Sequence, residues 1–383
     1  MFEDLLAEIR QKQHFGDQFI PLHAPVFHGK EKQYLLDTID STFVSSVGEY
    51  VNRMEKMLQE ITGAKKAVLC VNGTSALEMC LRLAGTKPGD IVLTQSLSFV
   101  ATANAIAHIG ATPAFADIER STLGLSPHAV QAFFESFCIK KGHGTFLKES
   151  GQKISACVPM HSFGLSCRMN ELQEICKEWN VPIVEDAAEA LGSSYKGQHC
   201  GTMGLLGALS FNGNKTVTTG GGGAILTNDE KIGDLAKHLT TTAKLPHRWE
   251  YFHDYAGWNF RMPNVNAALG CAQLEQLPQI LNIKRKRAEI YDHIFMNSPW
   301  EFVTELPDTL SNYWLCAVLT QNKTERDNFL AASNDAKLMT RPAWAPLHTL
   351  PMYTDTPKGS LDITVDIANR LVNLPSGVEG GIS

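Results

Sequence analysis

Lys215 stands in the run Ser210-Phe-Asn-Gly-Asn-Lys-Thr-Val-Thr-Thr-Gly-Gly-Gly-Gly223, downstream of the segment Pro182-Ile-Val-Glu-Asp186 that ends on two acids. A lysine held against glycine-rich backbone can reach a partner without bulky neighbours, and an amine that is neutral part of the time can form a Schiff base with an aldehyde. A buried carboxylate such as Asp186 can pair with a protonated ring nitrogen and so hold an aromatic cofactor as an electron sink. Upstream, Asn72-Gly-Thr-Ser75 joins a strand pattern to a helical one, where unpaired backbone N–H groups and the helix dipole favour a phosphate. Gly73 lets the backbone approach closely, and the Thr74 and Ser75 hydroxyls can donate to phosphate oxygens. Phe99, in Ser96-Leu-Ser-Phe99, could stack on a flat ring. An amine, a phosphate cradle, a carboxylate and an aromatic face are what pyridoxal phosphate requires. Each has an ordinary alternative: a solvated lysine, an N-cap by Asn72 or Thr74, an ion-paired strand-end acid, a core phenylalanine. Their occurrence as a set favours the chemical reading.

These residues need a scaffold, and the pattern supplies one. From Ala67 to about Leu226 short apolar strands alternate with helical stretches, the signature of an α/β sheet covered on both faces. Strands are predicted at Ala67–Val71, Asp90–Thr94, Pro113–Ala116, Ile154–Met160, Pro182–Asp186, Ala208–Phe211 and Gly223–Thr227. The last two follow each other without a helix, so an antiparallel strand is expected in an otherwise parallel sheet. Asp186 ends its strand at the carboxyl edge, where such sheets place ligands. Gly220 to Gly223 precede a strand instead of opening a helix and are no dinucleotide fingerprint. Beyond Asn264 long helical patterns run to about Ile294, followed by a strand at Tyr313–Thr320 and a helix at Thr324–Ala332. The expected division is a helical segment over 1–20, a large α/β domain over 21–263 and a smaller α+β domain over 264–383.

With 383 residues, 44% hydrophobic and 19% charged, the chain reads as a globular enzyme. A net charge of −6 argues against a nucleic-acid binder that works by phosphate neutralisation. Nine scattered cysteines without a Cys-x-x-Cys pair read as reduced thiols of a cytoplasmic protein, with no metal site. Met1 to Phe15 reads as a short amphipathic helix, not a signal peptide, and no apolar run reaches membrane-spanning length. Lys284-Arg-Lys-Arg287 is expected on a solvated helix face. The end at Gly380-Gly-Ile-Ser383 is expected to be frayed or cut short.

The order of phosphate loop, aromatic, acid and lysine resembles the DegT-type sugar aminotransferases of the fold-type I pyridoxal phosphate superfamily. Supporting segments are Gly63-Ala-Lys-Lys-Ala-Val68, Lys87-Pro-Gly-Asp90, Asp117-Ile118, Glu185-Asp-Ala-Ala-Glu-Ala-Leu-Gly192, Gly213-Asn-Lys215 and Gly257-Trp-Asn-Phe-Arg-Met-Pro263. The resemblance spans Pro21 to Pro375. It implies that Lys215 forms the internal aldimine and moves the proton between donor carbon and cofactor carbon. It also implies that Asp186 pairs the ring nitrogen, Glu189 lies near the phenolic oxygen, Phe99 covers a ring face, and Thr74, Ser75 and Ser210 hold the phosphate. Asn259 matches a residue supplied by the neighbouring subunit, which implies a homodimer with shared sites. Glu189 departs from relatives that carry Gln or His there.

Within the family, Phe43-Val-Ser-Ser-Val-Gly48, Met160-His-Ser-Phe-Gly164 and Thr340-Arg-Pro-Ala-Trp-Ala-Pro-Leu-His-Thr-Leu-Pro-Met-Tyr353 look like the legionaminic acid branch. That branch implies amination of a UDP-linked 4-keto-6-deoxy-N-acetylhexosamine at carbon 4 with glutamate as donor. Arg341 and Trp344 suit diphosphate pairing and ring stacking, and also an ordinary Arg-Pro turn packed on a tryptophan. His161 could contact substrate or satisfy a backbone carbonyl. The alternatives are an aminotransferase for another nucleotide keto sugar, or a non-catalytic binding or regulatory protein on the same fold. The family's dehydratases carry histidine in place of the lysine, so Lys215 argues against them.

Overall fold

The computed structural model describes residues 2–379. Its central sheet is built on seven strands, β1 (Lys66–Cys70), β2 (Ile91–Gln95), β3 (Thr112–Ala116), β4 (Lys153–Val158), β5 (Val184–Asp186), β6 (Leu206–Ser210) and β7 (Gly223–Thr227), with a hairpin of Cys138–Lys141 and Gly144–Leu147 added antiparallel to the start of β4. β3, β2 and β4 pair in parallel, as do β5 and β6. Bridges from Cys157 to Ile183 and from Met160 to Asp186 join β4 to β5. The order across the sheet is therefore β3-β2-β4-β5-β6-β7-β1. β7 runs antiparallel to both neighbours, as its short helix-free connection from β6 requires.

Successive strand residues face opposite ways, and each face buries its own core. Val68, Val92, Ala156, Val184, Ala208 and Ile225 pack beneath the helices Gly73–Leu83 and Val100–His108 through Leu77, Cys80 and Ile106. Leu69, Leu93, Cys157, Leu209 and Leu226 face a larger core that contains Met54, Leu58, Phe134 and Leu172. Helices thus cover both sides of a mainly parallel sheet. This is the fold expected for the enzyme class.

A second core lies around an antiparallel sheet made by Glu301–Phe302, Cys316–Leu319, Leu371–Leu374 and Arg341–Pro342. It includes Tyr291, Trp300, Val318, Phe329 and Val372, and also Leu6, Ile9, Phe15 and Ile20 from the start of the chain. The helix Asn264–Leu274 buries Ala267, Ala268, Cys271 and Leu274 in the large core. The helix Glu3–Lys12 packs Leu6 and Ile9 in the small core. Pro278 begins a second helix, Leu277–Phe295, which carries the chain from one core to the other. The sequence end from Gly380 lies outside the described residues. No helix among the described residues is long and apolar enough to cross a membrane.

The basic run Lys284–Arg287 corrects an expectation. Lys284 and Arg287 are buried inside the small core, not solvated. Lys284 Nζ donates to the carbonyl oxygens of Trp314 at 3.2 Å and Ser376 at 2.6 Å. Arg287 is held by Gln13 and by the Glu379 carbonyl. A charge count along the helix misses this, because the acceptors are backbone carbonyls distant in sequence. Burial pushes the Lys284 amine down from 10.5 to about 7. The unfolded chain keeps that proton up to the ordinary lysine range while the folded protein releases it near 7, so this group makes stability rise with pH across that window. In Lys284→Met the rise should shrink: the stability difference between variant and parent should move in the parent's favour from pH 7.5 to 9.5. Urea midpoints at the two pH values check this; a constant difference would remove the buried charge from the account.

Candidate active site

The site forms where β1, β2, β5 and β6 end on one side of the sheet. Asn72 caps the Gly73–Leu83 helix, its Oδ1 accepting the Ser75 N–H at 2.7 Å, so the remaining first-turn N–H groups stay available to an anion. Two close approaches explain glycines here. A Cβ on Gly223 would meet the Asn72 carbonyl oxygen at 2.5 Å, and one on Gly73 would meet Ser210 Cβ at 2.9 Å. The phosphate-type loop can lie over β6 and β7 only because both positions lack side chains.

Asn72, Gly73, Thr74, Phe99, Ala101, Asp186, Ser210, Asn212 and Lys215 line a single cavity of about 180 Å³. Gly73, Thr74, Phe99, Asp186, Ser210 and Lys215, expected from separate segments, thus meet in one place. Phe99 is the residue before the Val100–His108 helix and is half exposed to the cavity. Asp186 is buried; its Oδ2 accepts the Thr102 hydroxyl at 2.7 Å and its Oδ1 the Ala188 N–H at 3.2 Å. Burial holds the Asp186 carboxyl above its ordinary range, opposed by those two donors and by the Lys215 charge. Thr102 had no distinguishing mark in the sequence beyond its place one helical turn after Phe99.

Lys215 Nζ lies 3.2 Å from Glu189 Oε1, and its side chain is only 12% exposed. Glu189 Oε2 accepts the Phe163 N–H at 2.8 Å. Phe163 takes a left-handed backbone conformation, φ 58°, to present that N–H. Burial lifts the Glu189 carboxyl from 4.5 to about 7, against the lowering influence of Lys215. Trp314, missed in the sequence, places its ring 3.9 Å from the Lys215 amine.

Other candidates sit apart. Ser75 and Glu189 do not line the cavity, although Glu189 touches it through Lys215. Asn259 is exposed and accepts from Arg261 Nε at 2.9 Å. Arg341 is exposed and donates to Asn334 and the Thr340 carbonyl. Trp344 stacks on Phe163 with centroids 4.8 Å apart. His161 is fully buried away from the cavity: Nε2 is 2.9 Å from Glu185 and Nδ1 accepts the Cys167 N–H at 3.2 Å. With both ring nitrogens occupied, it has no atom left for a substrate. Glu185, on the opposite face of β5 from Asp186, also accepts the N–H groups of Gly201 and Met203 and braces the strand.

The model of the DegT/DnrJ/EryC1/StrS aminotransferase family matches residues 26–380. The chain belongs to this family. Its members' chemistry suits the cavity: the protein is a pyridoxal phosphate-dependent sugar aminotransferase. The chain is 36% identical over 359 residues to the GDP-perosamine synthase of Escherichia coli O157:H7, covering 94% of this chain and 93% of that protein. It is 28% identical over 334 residues to the UDP-2-acetamido-2-deoxy-3-oxo-D-glucuronate aminotransferase of Pseudomonas aeruginosa, covering 86% of each. The fold matches that of the Helicobacter pylori aminotransferase PseC, with a TM-score of 0.86, 24% identity and 95% of both chains covered. Family membership and the cavity agree on the cofactor. A buried carboxylate, an aromatic face, a helix N-terminus and an amine border one cavity.

Glu189 provides a test that needs no cofactor. Because its folded carboxyl titrates near 7 and its unfolded one near 4.5, its contribution to stability is present below 4.5 and is lost as pH rises through 7. Glu189→Gln in the cofactor-free protein should gain stability relative to the parent between pH 4.5 and 7. Thermal melts at pH 5 and pH 8 measure the difference, and a difference independent of pH would contradict the burial of this charge.

Proposed function

We propose that this protein transfers the amino group of glutamate to carbon 4 of a UDP-linked 4-keto-6-deoxy-N-acetylhexosamine, in the making of a legionaminic-type nonulosonic acid or a related surface glycan. The observation that carries the amino-transfer chemistry is the convergence of Lys215, Asp186, Phe99 and the Gly73–Thr74 loop on one cavity. The choice of sugar rests on Phe43–Gly48, Met160–Gly164 and Thr340–Tyr353. A GDP-linked keto sugar is the second reading, favoured by the GDP-sugar in the name of the 36% identical relative.

When bound, pyridoxal phosphate supplies the aldehyde that accepts the amino group and a ring that takes up the electron pair of a broken carbon–hydrogen bond. Asp186 would keep the ring nitrogen protonated, since a buried carboxylate with two donors at fixed positions is a ready partner for a cation. Thr74, Ser75 and Ser210 would hold the phosphate, with Gly73 admitting it to the helix N-terminus. Phe99 would cover one ring face. Lys215 would carry the proton between donor carbon and cofactor carbon, with Glu189 as its neighbour near the phenolic oxygen. Asn259, exposed in one chain, would reach the phosphate of a second copy, which makes the working unit a homodimer with shared sites. Arg341 and Trp344 would meet the nucleotide sugar. The nine buried, unpaired cysteines support a reducing, cytoplasmic setting.

Lys215→Ala is expected to lose turnover and the visible absorbance of bound cofactor while keeping its fold; an unchanged spectrum would take Lys215 out of this role. Asp186→Asn should hold cofactor more weakly and lose roughly 100-fold or more in rate, a loss of about 3 kcal/mol in transition-state stabilisation, and near-normal activity would refute the ring pairing. Incubation with glutamate and a panel of UDP- and GDP-linked keto sugars, followed by NMR of the product, identifies the substrate. Selective amination of a GDP-sugar would overturn the first reading and establish the second. Mixing Lys215→Ala with Asn259→Ala subunits should change activity relative to either parent, and additive behaviour would count against shared sites.

A further inference from the structure

Trp314 touches the Lys215 amine, does not itself line the cavity, and is fastened in place from several directions. The amine lies 3.9 Å from the indole centroid and 3.2 Å from Glu189 Oε1. Trp314 is itself only 5% exposed. Its Nε1–H donates at 2.7 Å to the carbonyl of Asn214, the residue before the lysine, so the ring is bonded to the lysine's own loop. Its backbone N–H donates to Asn312 Oδ1 at 2.8 Å, and its carbonyl accepts from the buried Lys284 at 3.2 Å. Asn312, wholly buried, uses its Nδ2 to bond the carbonyls of Glu189 at 2.8 Å and Leu191 at 2.9 Å, and lies 3.3 Å from Thr216 Oγ1. The Asn312–Trp314 turn therefore grips both the acid's loop and the lysine's loop.

We propose that Trp314 is a positioning residue that docks the Lys215 amine whenever that amine is not bonded to the cofactor. The inference rests on Lys215 being the reactive amine. A lysine has a flexible four-carbon stem, and a free amine at the end of it would sample many rotamers and recruit water. The indole face attracts the ammonium and excludes solvent from one side, while Glu189 holds it from another. Lys215 also lines the cavity, so the docked amine borders the space the cofactor would fill. The docked group thus waits within reach of the position it must attack, and becomes a nucleophile once it passes a proton to the Glu189 carboxylate 3.2 Å away. Glu189 alone would not do this, since its other oxygen is committed to the Phe163 N–H.

The test compares the parent with Trp314→Phe, which keeps an aromatic face, and Trp314→Met, which keeps bulk without one. Cofactor-free protein is mixed with pyridoxal phosphate, and the rise of visible absorbance is followed by stopped flow. Trp314→Met should slow capture and lower kcat by roughly tenfold, the effect of losing a desolvated cation–π contact, with KM for the sugar unchanged. Trp314→Phe should recover most of both. A tryptophan that only fills space would make both variants melt lower and change capture equally, so equal rates for Phe and Met, or a parent-like rate for Met, would overturn the proposal. If Trp314→Met does not fold, biosynthetic replacement of the tryptophans by a fluorinated analogue weakens the ring face at constant shape. Capture should then slow about two- to threefold, and an unchanged rate would overturn the proposal. Lys215→Ala separates the two readings: if it develops the same absorbance as the parent, Lys215 itself is not the reactive amine.

Discussion

The 3.2 Å contact between the Lys215 amine and the Glu189 carboxylate is the interaction around which the rest of the site is arranged. Both groups are withdrawn from bulk water, and so is Asp186 across the same cavity. Charges in such a place are costly unless each has a partner at a fixed position. Much of the surrounding structure serves that need. Thr102 and the Ala188 N–H hold Asp186, while the Phe163 N–H holds the far oxygen of Glu189. Trp314 packs its ring 3.9 Å from the Lys215 amine.

These partners come from distant segments, which makes the fold part of the chemistry. Phe163 follows β4, Thr102 lies on the helix after β2, and Trp314 sits at the entry to the small sheet. Bringing them together requires strands to end at one edge, with loops that cross closely over neighbouring strands. Gly73 and Gly223 permit that crossing at the phosphate-type loop. The small core contributes through Lys284, whose buried amine fixes the Trp314 carbonyl. The two cores are thereby linked at Lys215.

Much of this was legible in the sequence. The alternation of strands and helices and the antiparallel β7 followed from local patterns, as did the choice of Gly73, Thr74, Phe99, Asp186 and Lys215 as candidates; Ser210 came from the resemblance, and Ala101 and Asn212, which also line the cavity, carried no mark. What was not legible depends on contacts between segments. Lys284 and Arg287 read as a solvated basic face because periodicity cannot show that backbone carbonyls from residues 314, 376 and 379 would surround them. His161 read either as a substrate contact or as a partner for a backbone carbonyl, because nothing local pairs it with Glu185 or the Cys167 N–H. Trp314 looked like a strand residue among others. The change of sequence texture at 263/264 coincides with a helix that packs in the large core, a contact that local texture does not show.

The central claim is that Lys215 is the amine that bonds pyridoxal phosphate. Borohydride reduction of the cofactor-loaded protein, followed by peptide mapping by mass spectrometry, tests it directly. The account predicts one pyridoxyl mass addition per chain, on Lys215. Its appearance on another lysine, or no stable addition at all, would contradict it.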